Sequence, residues 1–172
     1  ENGIKAIAGI EFRDSDRYLY TGIARNNKGF YELNEFLSWH NEKKEALPDR
    51  PPKFSNVWII YSLDNFPEKL RSNELVGIRP KQVNRLLSFP VADLINRLIV
   101  WKPVSFANKD EFVIHKHLRA IDHNTLLSKL KAENLGTEDD IMISPELLVC
   151  AYEDYPKILE NTEALIADCH IQ

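Results

Sequence analysis

The chain has 172 residues and a formal net charge of −4; 44% of its residues are hydrophobic, 28% are charged and two are cysteines. This composition excludes a disordered chain and a disulfide-built scaffold, because there is enough apolar sequence to bury a core. No apolar run approaches the length of about 20 residues that spans a bilayer. We therefore expect one domain over residues 1–172, β-rich over 1–64 and helical over 65–172, in the cytoplasm and away from membranes.

A hairpin, a helix and a buried strand are predicted in the first part of the chain. Residues 4–12 and 17–25 each alternate with the period of a strand, and a turn signal separates them, so together they predict a β-hairpin. Residues 31–44 place apolar side chains at helical spacing. Residues 57–63 form a nearly continuous apolar run, which is typical of a central strand covered on both faces.

Helical patterns dominate the sequence after Asp64. The predicted helices cover residues 80–88, 90–99, 109–121 and 125–133, a segment that begins at 144, and a last segment from 154 to 167. Proline opens several of them, since its fixed φ and missing N–H suit the first helical position. Early strands and late helices predict an α+β fold, in which the hairpin and the central strand form a small mixed sheet packed by a mainly helical C-terminal two-thirds.

Charge is distributed unevenly along the chain. Residues 1–131 contain 21 basic and 16 acidic residues, a net of +5, whereas residues 132–172 contain 1 basic and 10 acidic residues, a net of −9. The acidic part is also rich in apolar residues at helical spacing. This pattern favours two oppositely charged surfaces that attract each other within one fold over a solvated acidic tail.

The acidic C-terminal part supports the first functional hypothesis, a non-enzymatic protein-interaction module of the inhibitor, immunity or adaptor type. Complementary charge speeds and orients docking, so the expected partner is another protein with a basic surface. The expected partner-binding residues are Glu138, Asp139, Asp140, Glu153, Asp154, Glu160 and Glu163. The sequence has no Gly-rich phosphate loop, Gly-x-Ser-x-Gly or His-Glu-x-x-His, which favours a protein without enzymatic activity or cofactor.

An alternative hypothesis is a metal-dependent phosphodiesterase with a nuclease-like site. Glu11 lies late in the first predicted strand, and Asp64 directly follows the central strand. Carboxylates at the ends of neighbouring strands hold divalent ions in phosphoryl-transfer sites, so these two residues are the catalytic candidates. Both also fit ordinary structural roles, Glu11 in an exposed ion pair and Asp64 in a turn.

A second set of metal-ligand candidates lies within nine positions of the chain. Its members are His115, His117, Asp122 and His123. Imidazole and carboxylate groups bind zinc and similar divalent ions. A strand would place His115 and His117 on one side, whereas a helix would place them about 200° apart and prevent shared coordination. The apolar stripe of Ile114, Leu118 and Ile121 favours the helix.

The segment from residue 66 to residue 131 is basic, with 12 basic and six acidic residues. Arg79, Lys81 and Arg85 cluster around one predicted helix start, where backbone N–H groups also attract anions, and are the phosphate-binding candidates. The nearby aromatic residues Phe89 and Trp101 offer rings on which bases stack. Nucleic acid is therefore the alternative partner for this segment.

Overall fold

The computed structural model describes residues 5–15, 17–88, 91–131 and 134–171. Its strands are β1 (Gly9–Asp14), β2 (Arg17–Ala24), β3 (Val57–Ser62), β4 (Glu74–Ile78) and β5 (Leu98–Val100). Its α-helices are α1 (Asn27–Lys43), α2 (Val91–Leu94), α3 (Lys109–Asp122), α4 (Pro145–Cys150) and α5 (Pro156–Asp168). Short 3₁₀ helices cover Pro80–Ser88, Ile95–Arg97 and Leu127–Lys129. The predicted α+β fold with an N-terminal hairpin and a small mixed sheet is confirmed.

The hairpin and the central strand lie where the sequence predicts them. β1 and β2 pair antiparallel, and Ser15 in the turn between them has a φ of 54°. β1 starts at Gly9, later than the alternation predicts, and Ile4 of that prediction lies outside the described residues. β3 lies in the middle of the strand order β1-β2-β3-β4-β5, antiparallel to β2 and parallel to β4. Burial from both sides explains its nearly unbroken apolar sequence.

β4 and β5 lie in a region where the sequence predicts only helices. Both are parallel to the strand before them, and β5 takes the last residues of the helix predicted over 90–99. Only Val91–Leu94 of that prediction is α-helical, and Pro90 lies outside the described residues. The helix predicted over 125–133 is reduced to a 3₁₀ turn at Leu127–Lys129, and residues 132 and 133 also lie outside. Short apolar runs fit helix and strand equally well, so contacts distant in sequence decide between them.

The first and last helices, α1 and α5, cover opposite faces of the sheet. Leu33 of α1 packs in a cluster with Phe12 and Val57 on one face. Leu165 of α5 and the following Cys169 pack with Ile60 on the other face. Side chains alternate between the two faces of a strand, which is why Val57 and Ile60 of β3 contact different helices.

α5 also covers the outer edge of β5. The Asn161 amide donates to the Leu98 carbonyl at 2.8 Å and to the Ile95 carbonyl at 2.7 Å. The Val100 N–H donates to the Thr162 hydroxyl at 2.8 Å. These side chains satisfy backbone groups that would otherwise leave β5 as an open sheet edge.

Candidate functional site

The carboxyl ends of the three parallel strands bring charged residues to one edge of the sheet. Asp64 follows β3, Arg79 directly follows β4, and Trp101 and Lys102 directly follow β5. In open sheets with parallel strands, ligands bind in crevices outside these strand ends. This edge therefore contains the phosphate-binding candidates of the sequence together with one of the two carboxylate candidates.

Arg79 lies between an aromatic ring and a buried carboxylate. Its guanidinium carbon is 4.8 Å from the Trp101 ring centroid, and its Nη1 is 3.0 Å from Asp140 Oδ1. Trp101 in turn contacts the ring of Tyr18, with centroids 4.9 Å apart. Gly77 makes this packing possible, because a Cβ at that position would lie 2.6 Å from Trp101 Cβ. The guanidinium is thus held in one orientation by a stacking contact and a charge-assisted hydrogen bond.

The other two phosphate-binding candidates also pair with carboxylates. Lys81 Nζ is 2.5 Å from Asp139 Oδ1, and Arg85 Nη2 is 2.7 Å from Asp64 Oδ1. Arg79, Lys81 and Arg85 therefore all face carboxylates of the same chain. The structure assigns them ion pairs within the protein, and it gives Asp64 a basic partner in place of a neighbouring carboxylate.

Lys102 fixes the acidic segment that follows α3. Its ammonium group donates to the carbonyl oxygens of Asp139 and Ile141, both at 2.7 Å, and to that of Pro103 at 3.1 Å. Burial lowers the pKa of Lys102 from its usual value. A cavity of about 190 Å³ lies beside these groups, with Pro80 in its wall. The cations that line this cavity, Arg79, Lys81 and Lys102, already have partners within the protein. Their contacts hold residues 139–141 against the sheet.

Glu11 and Asp64 are not brought together. Glu11 lies opposite Thr21 in the antiparallel pair, and Thr21 lies opposite Ile60, four residues before Asp64. Strand spacing places Glu11 about 10 Å from β3 across the sheet, and Asp64 lies beyond the end of β3. Glu11 instead accepts a hydrogen bond from Arg13 Nε at 2.5 Å on the exposed edge strand. This separation is too large for the two carboxylates to share one ion.

The histidine candidates lie on or directly after α3, which forms over Lys109–Asp122 as the sequence predicts. His115 Nε2 accepts a hydrogen bond from the Gly136 N–H at 3.0 Å. A ring nitrogen of exposed His117 is 2.8 Å from the Val113 carbonyl. Asp122 pairs with Arg119. Among the described residues, no group of three or more His, Cys, Asp or Glu side chains could hold a metal ion.

The acidic residues proposed for partner binding divide into two groups. Asp139 and Asp140 are used within the chain, and Asp140 is buried at 7% exposure. The remaining members are exposed, namely Glu138, Glu153, Asp154, Glu160 and Glu163. Glu160 also pairs with Lys157 one turn away. The exposed group gives the surface around α4 and α5 its negative charge.

An exposed apolar surface lies on α3 and the turn that follows it. Its five large apolar side chains, which we call the α3 ridge, are Ile114, Leu118, Ile121, Leu126 and Leu127, with exposures of 58%, 60%, 75%, 64% and 46%. An apolar stripe at i, i+4 and i+7 usually faces the core of its own chain. In α3 the buried positions are Phe112 and Ala120, so the ridge faces away from the core. The spacing gave the helix correctly but carried no signal of which face is covered.

Carboxylates border the α3 ridge. Asp110 lies four residues before Ile114 and Asp122 four residues after Leu118, so each neighbours a ridge residue on the helix surface. Glu111 lies three residues before Ile114. Lys116, by contrast, lies over the ring of buried Phe112, 4.6 Å from its centroid, on the other side of the helix. The exposed face of α3 is therefore apolar in its centre and acidic at its first turn, whereas Lys129 lines the groove at its other end.

Comparison with family models, with curated proteins and with solved structures finds no match to this chain. Within the residues described here, no helix combines the length and apolar character required to cross a bilayer. The two cysteines are not joined to each other; Cys150 is exposed, whereas Cys169 is buried.

Proposed function

We propose that this protein is a non-enzymatic interaction module that binds another protein through the α3 ridge. The observation that supports the proposal is the exposure of five neighbouring Leu and Ile side chains on one helix and the turn after it. Burying one such side chain stabilises a structure by about 1.5–3 kcal/mol, so leaving five exposed is costly. Apolar patches that remain exposed at this cost are typical of interaction surfaces.

The ridge residues form a continuous surface. Ile114 and Ile121 are separated by seven residues, which is two helical turns or about 10 Å. Ile121, Leu126 and Leu127 border a shared groove of about 650 Å³. A partner helix or a shallow apolar groove can therefore contact the whole ridge at once, as in other helix-mediated interfaces.

The border of the ridge indicates the charge of the partner. Two carboxylates, those of Asp110 and Glu111, lie in the first turn of α3 beside Ile114, and a third, that of Asp122, pairs with Arg119. The exposed acidic residues of α5 and of the segment before it, among them Asp154 and Glu163, add negative potential to the same molecule. Such a field favours a partner with a basic rim around an apolar centre, because complementary charge raises the association rate and orients the encounter.

The proposal is tested by cross-linking from the ridge. A photoreactive benzoylphenylalanine at position 118 is expected to capture a protein partner in cells, whereas the same probe at exposed position 68 is not. With the captured partner purified, Leu118→Asp is expected to raise Kd at least 30-fold, since central interface residues contribute about 2 kcal/mol or more. Because Leu118 is 60% exposed, the variant should retain the melting temperature of the wild type.

Leu87 provides a matched control. It is 80% exposed but lies in the 3₁₀ helix Pro80–Ser88, away from the ridge. Leu87→Asp introduces the same charge and is expected to leave Kd within twofold of the wild type. Equal affinities of Leu118→Asp and wild type would contradict the proposal. A wild-type dimer that Leu118→Asp converts to monomer would also contradict it, because the ridge would then be covered by a second copy of the chain.

A further inference from the structure

An aromatic groove lies between α1 and the proline-rich loop that precedes β3. This α1 groove, of about 620 Å³, is lined by Glu32, Glu35, Phe36, Trp39, His40, Pro52, Lys53, Phe54 and Ser55. Its volume is within the range of ligand-binding clefts. None of these residues belongs to the α3 ridge, so the groove is independent of the surface assigned above.

The aromatic rings of the groove form an angled wall. The Phe36 and Phe54 rings are nearly perpendicular, with centroids 5.5 Å apart, and the Phe36 and His40 centroids are 4.6 Å apart. Trp39 meets His40 at 83°, with centroids 4.8 Å apart. Phe54 and His40 are each 9% exposed, whereas Trp39 is 46% exposed. The inner rings therefore hold Trp39 in place and leave much of its indole available to a ligand.

Two carboxylates lie on the same side of α1 as Trp39. Glu35 is four residues and Glu32 seven residues before Trp39, which is the spacing of neighbours along one helix face. Glu32 is fixed to the loop, because its Oε2 accepts from the Ser55 N–H at 3.0 Å and its Oε1 accepts from Asn56 Nδ2 at 2.8 Å. Lys53 supplies one positive charge, so the lining residues sum to a net charge of −1.

We propose that the α1 groove binds an arginine or lysine side chain presented by an extended peptide. A cation over the face of an indole gains electrostatic stabilisation, and the Glu35 carboxylate adds charge complementarity in the same place. The groove volume of about 620 Å³ exceeds that of one cationic head group, and Pro52 and Phe54 add apolar surface to its wall. Aromatic-lined grooves of this kind accept extended, proline-containing segments.

The three tryptophans of the chain make this proposal testable by NMR. The probe is the peptide acetyl-Gly-Pro-Arg-Pro-Gly-amide, titrated into the ¹⁵N-labelled full chain while the indole N–H signals are followed. The Trp39 signal is expected to shift saturably, whereas those of Trp58 and Trp101, which lie outside the groove, remain fixed. The same peptide with citrulline in place of arginine keeps the shape and removes the charge, and it is expected to bind at least tenfold more weakly.

Matched variants identify the contribution of the carboxylate. Glu35→Gln is expected to weaken the arginine peptide at least threefold, whereas Glu42→Gln, on the same helix but outside the groove, is expected to have no effect. The proposal is overturned if Trp39 does not respond, if the citrulline peptide binds equally well, or if all three indoles respond alike. Tetramethylammonium binding with the affinity of the peptide would show a site for a small free cation and would overturn the peptide as its occupant.

Discussion

At the scale of single residues, the buried carboxylate of Glu74 shows how this fold tolerates a charge in its core. Glu74 is 1% exposed, yet its Oε1 and Oε2 accept from Arg50 Nε at 2.9 Å and Nη2 at 2.6 Å. The Arg71 N–H and the Tyr61 hydroxyl complete the set at 2.6 and 3.1 Å. A buried charge is stable only when it is paired and hydrogen-bonded in this way. The group fastens the proline-rich loop to the start of β4.

Removing this charge is expected to destabilise the protein strongly. Glu74→Gln leaves the Arg50 guanidinium, which is 34% exposed, without its anionic partner, and losing charge-assisted hydrogen bonds of this kind costs about 1.5–3 kcal/mol. Urea unfolding at pH 7 measures the loss as a lower midpoint. Exposed Glu42 is the control, and Glu42→Gln should change the free energy of unfolding by no more than about 0.5 kcal/mol. Similar costs for the two variants would contradict the role assigned to Glu74.

The same carboxylate makes stability depend on pH. Burial opposes its ionisation, but the hydrogen bonds from Arg50 and Arg71 outweigh burial, and the pKa of Glu74 is lowered in the folded state. A lowered folded-state pKa stabilises the protein fully above the unfolded value of about 4.3, and this stabilisation is lost as the pH falls through the folded-state value. The difference in unfolding free energy between wild type and Glu74→Gln should therefore shrink between pH 5 and pH 3. An unchanged difference would mean that the pKa of Glu74 is the same in the folded and unfolded states.

The sequence predicted the positions of these charged residues better than it predicted their ion-pair partners. Asp64, Arg79, Lys81 and Arg85 do lie at one edge of the sheet. The phosphate-binding hypothesis stays a prediction, but it did not include the finding that each of the three cations pairs with a carboxylate of the same chain. Two of these carboxylates come from residues 139 and 140, about 60 positions later. Periodicity and composition describe local structure and contain no information about such distant pairs.

At the scale of secondary-structure elements, α5 functions partly as a substitute strand. Asn161 and Thr162 supply the hydrogen bonds that a sixth strand would otherwise give to β5. Backbone groups at an uncovered sheet edge pair readily with other chains. α5 is therefore expected to protect the sheet from edge-to-edge association.

The double variant Asn161→Ala/Thr162→Val tests this role. It leaves the Ile95 and Leu98 carbonyls and the Val100 N–H without their side-chain partners, and each buried unsatisfied group costs about 1–3 kcal/mol. We expect a lower melting temperature and more light scattering on storage than in the wild type. Glu163→Ala, at the exposed position next to the pair, should behave as wild type. A double variant of wild-type stability would show that α5 does not protect this edge.

Elements with a strong local pattern were predicted well, and elements defined by packing were not. α3 and α5 carry clear helical periodicity and capping or proline signals, and both form close to the predicted ranges. β4 and β5 have five and three residues, too few to show a period, and their partners lie elsewhere in the sequence. The exposed face of α3 was missed for a related reason, because amphipathic spacing reports that a stripe exists and not what covers it.

At the scale of the whole molecule, the basic and acidic parts of the chain are joined by ion pairs. Arg25, Arg79 and Lys81 from the basic part pair with Asp168, Asp140 and Asp139 from the acidic part. The attraction expected between two oppositely charged surfaces of one fold takes the form of these three pairs. The pairs contribute differently to the free energy of unfolding. Asp140 in the Arg79 pair is buried, whereas Lys81 in the Asp139 pair is 75% exposed.

Neutralising the two neighbouring aspartates separately should reveal that difference. Asp140→Asn leaves half-buried Arg79 without a charged partner and is expected to lower stability by about 1.5–3 kcal/mol. Asp139→Asn removes an exposed pair and is expected to cost no more than about 1 kcal/mol. Hydrogen exchange should show faster exchange of the amides of Ser105 and Phe106 in Asp140→Asn, because both donate to the Asp140 carbonyl. Equal costs for the two variants would contradict the importance given to burial.

The cover that α5 provides for β5 has a consequence during synthesis on the ribosome. The hydrogen bonds of Asn161 and Thr162 reach back more than 60 positions, to residues translated much earlier. While the nascent chain ends before α5, β5 is a bare strand that can pair with another emerging polypeptide. A slow stretch of translation between β5 and α5 should therefore lower the yield of native protein, even though the amino-acid sequence stays the same.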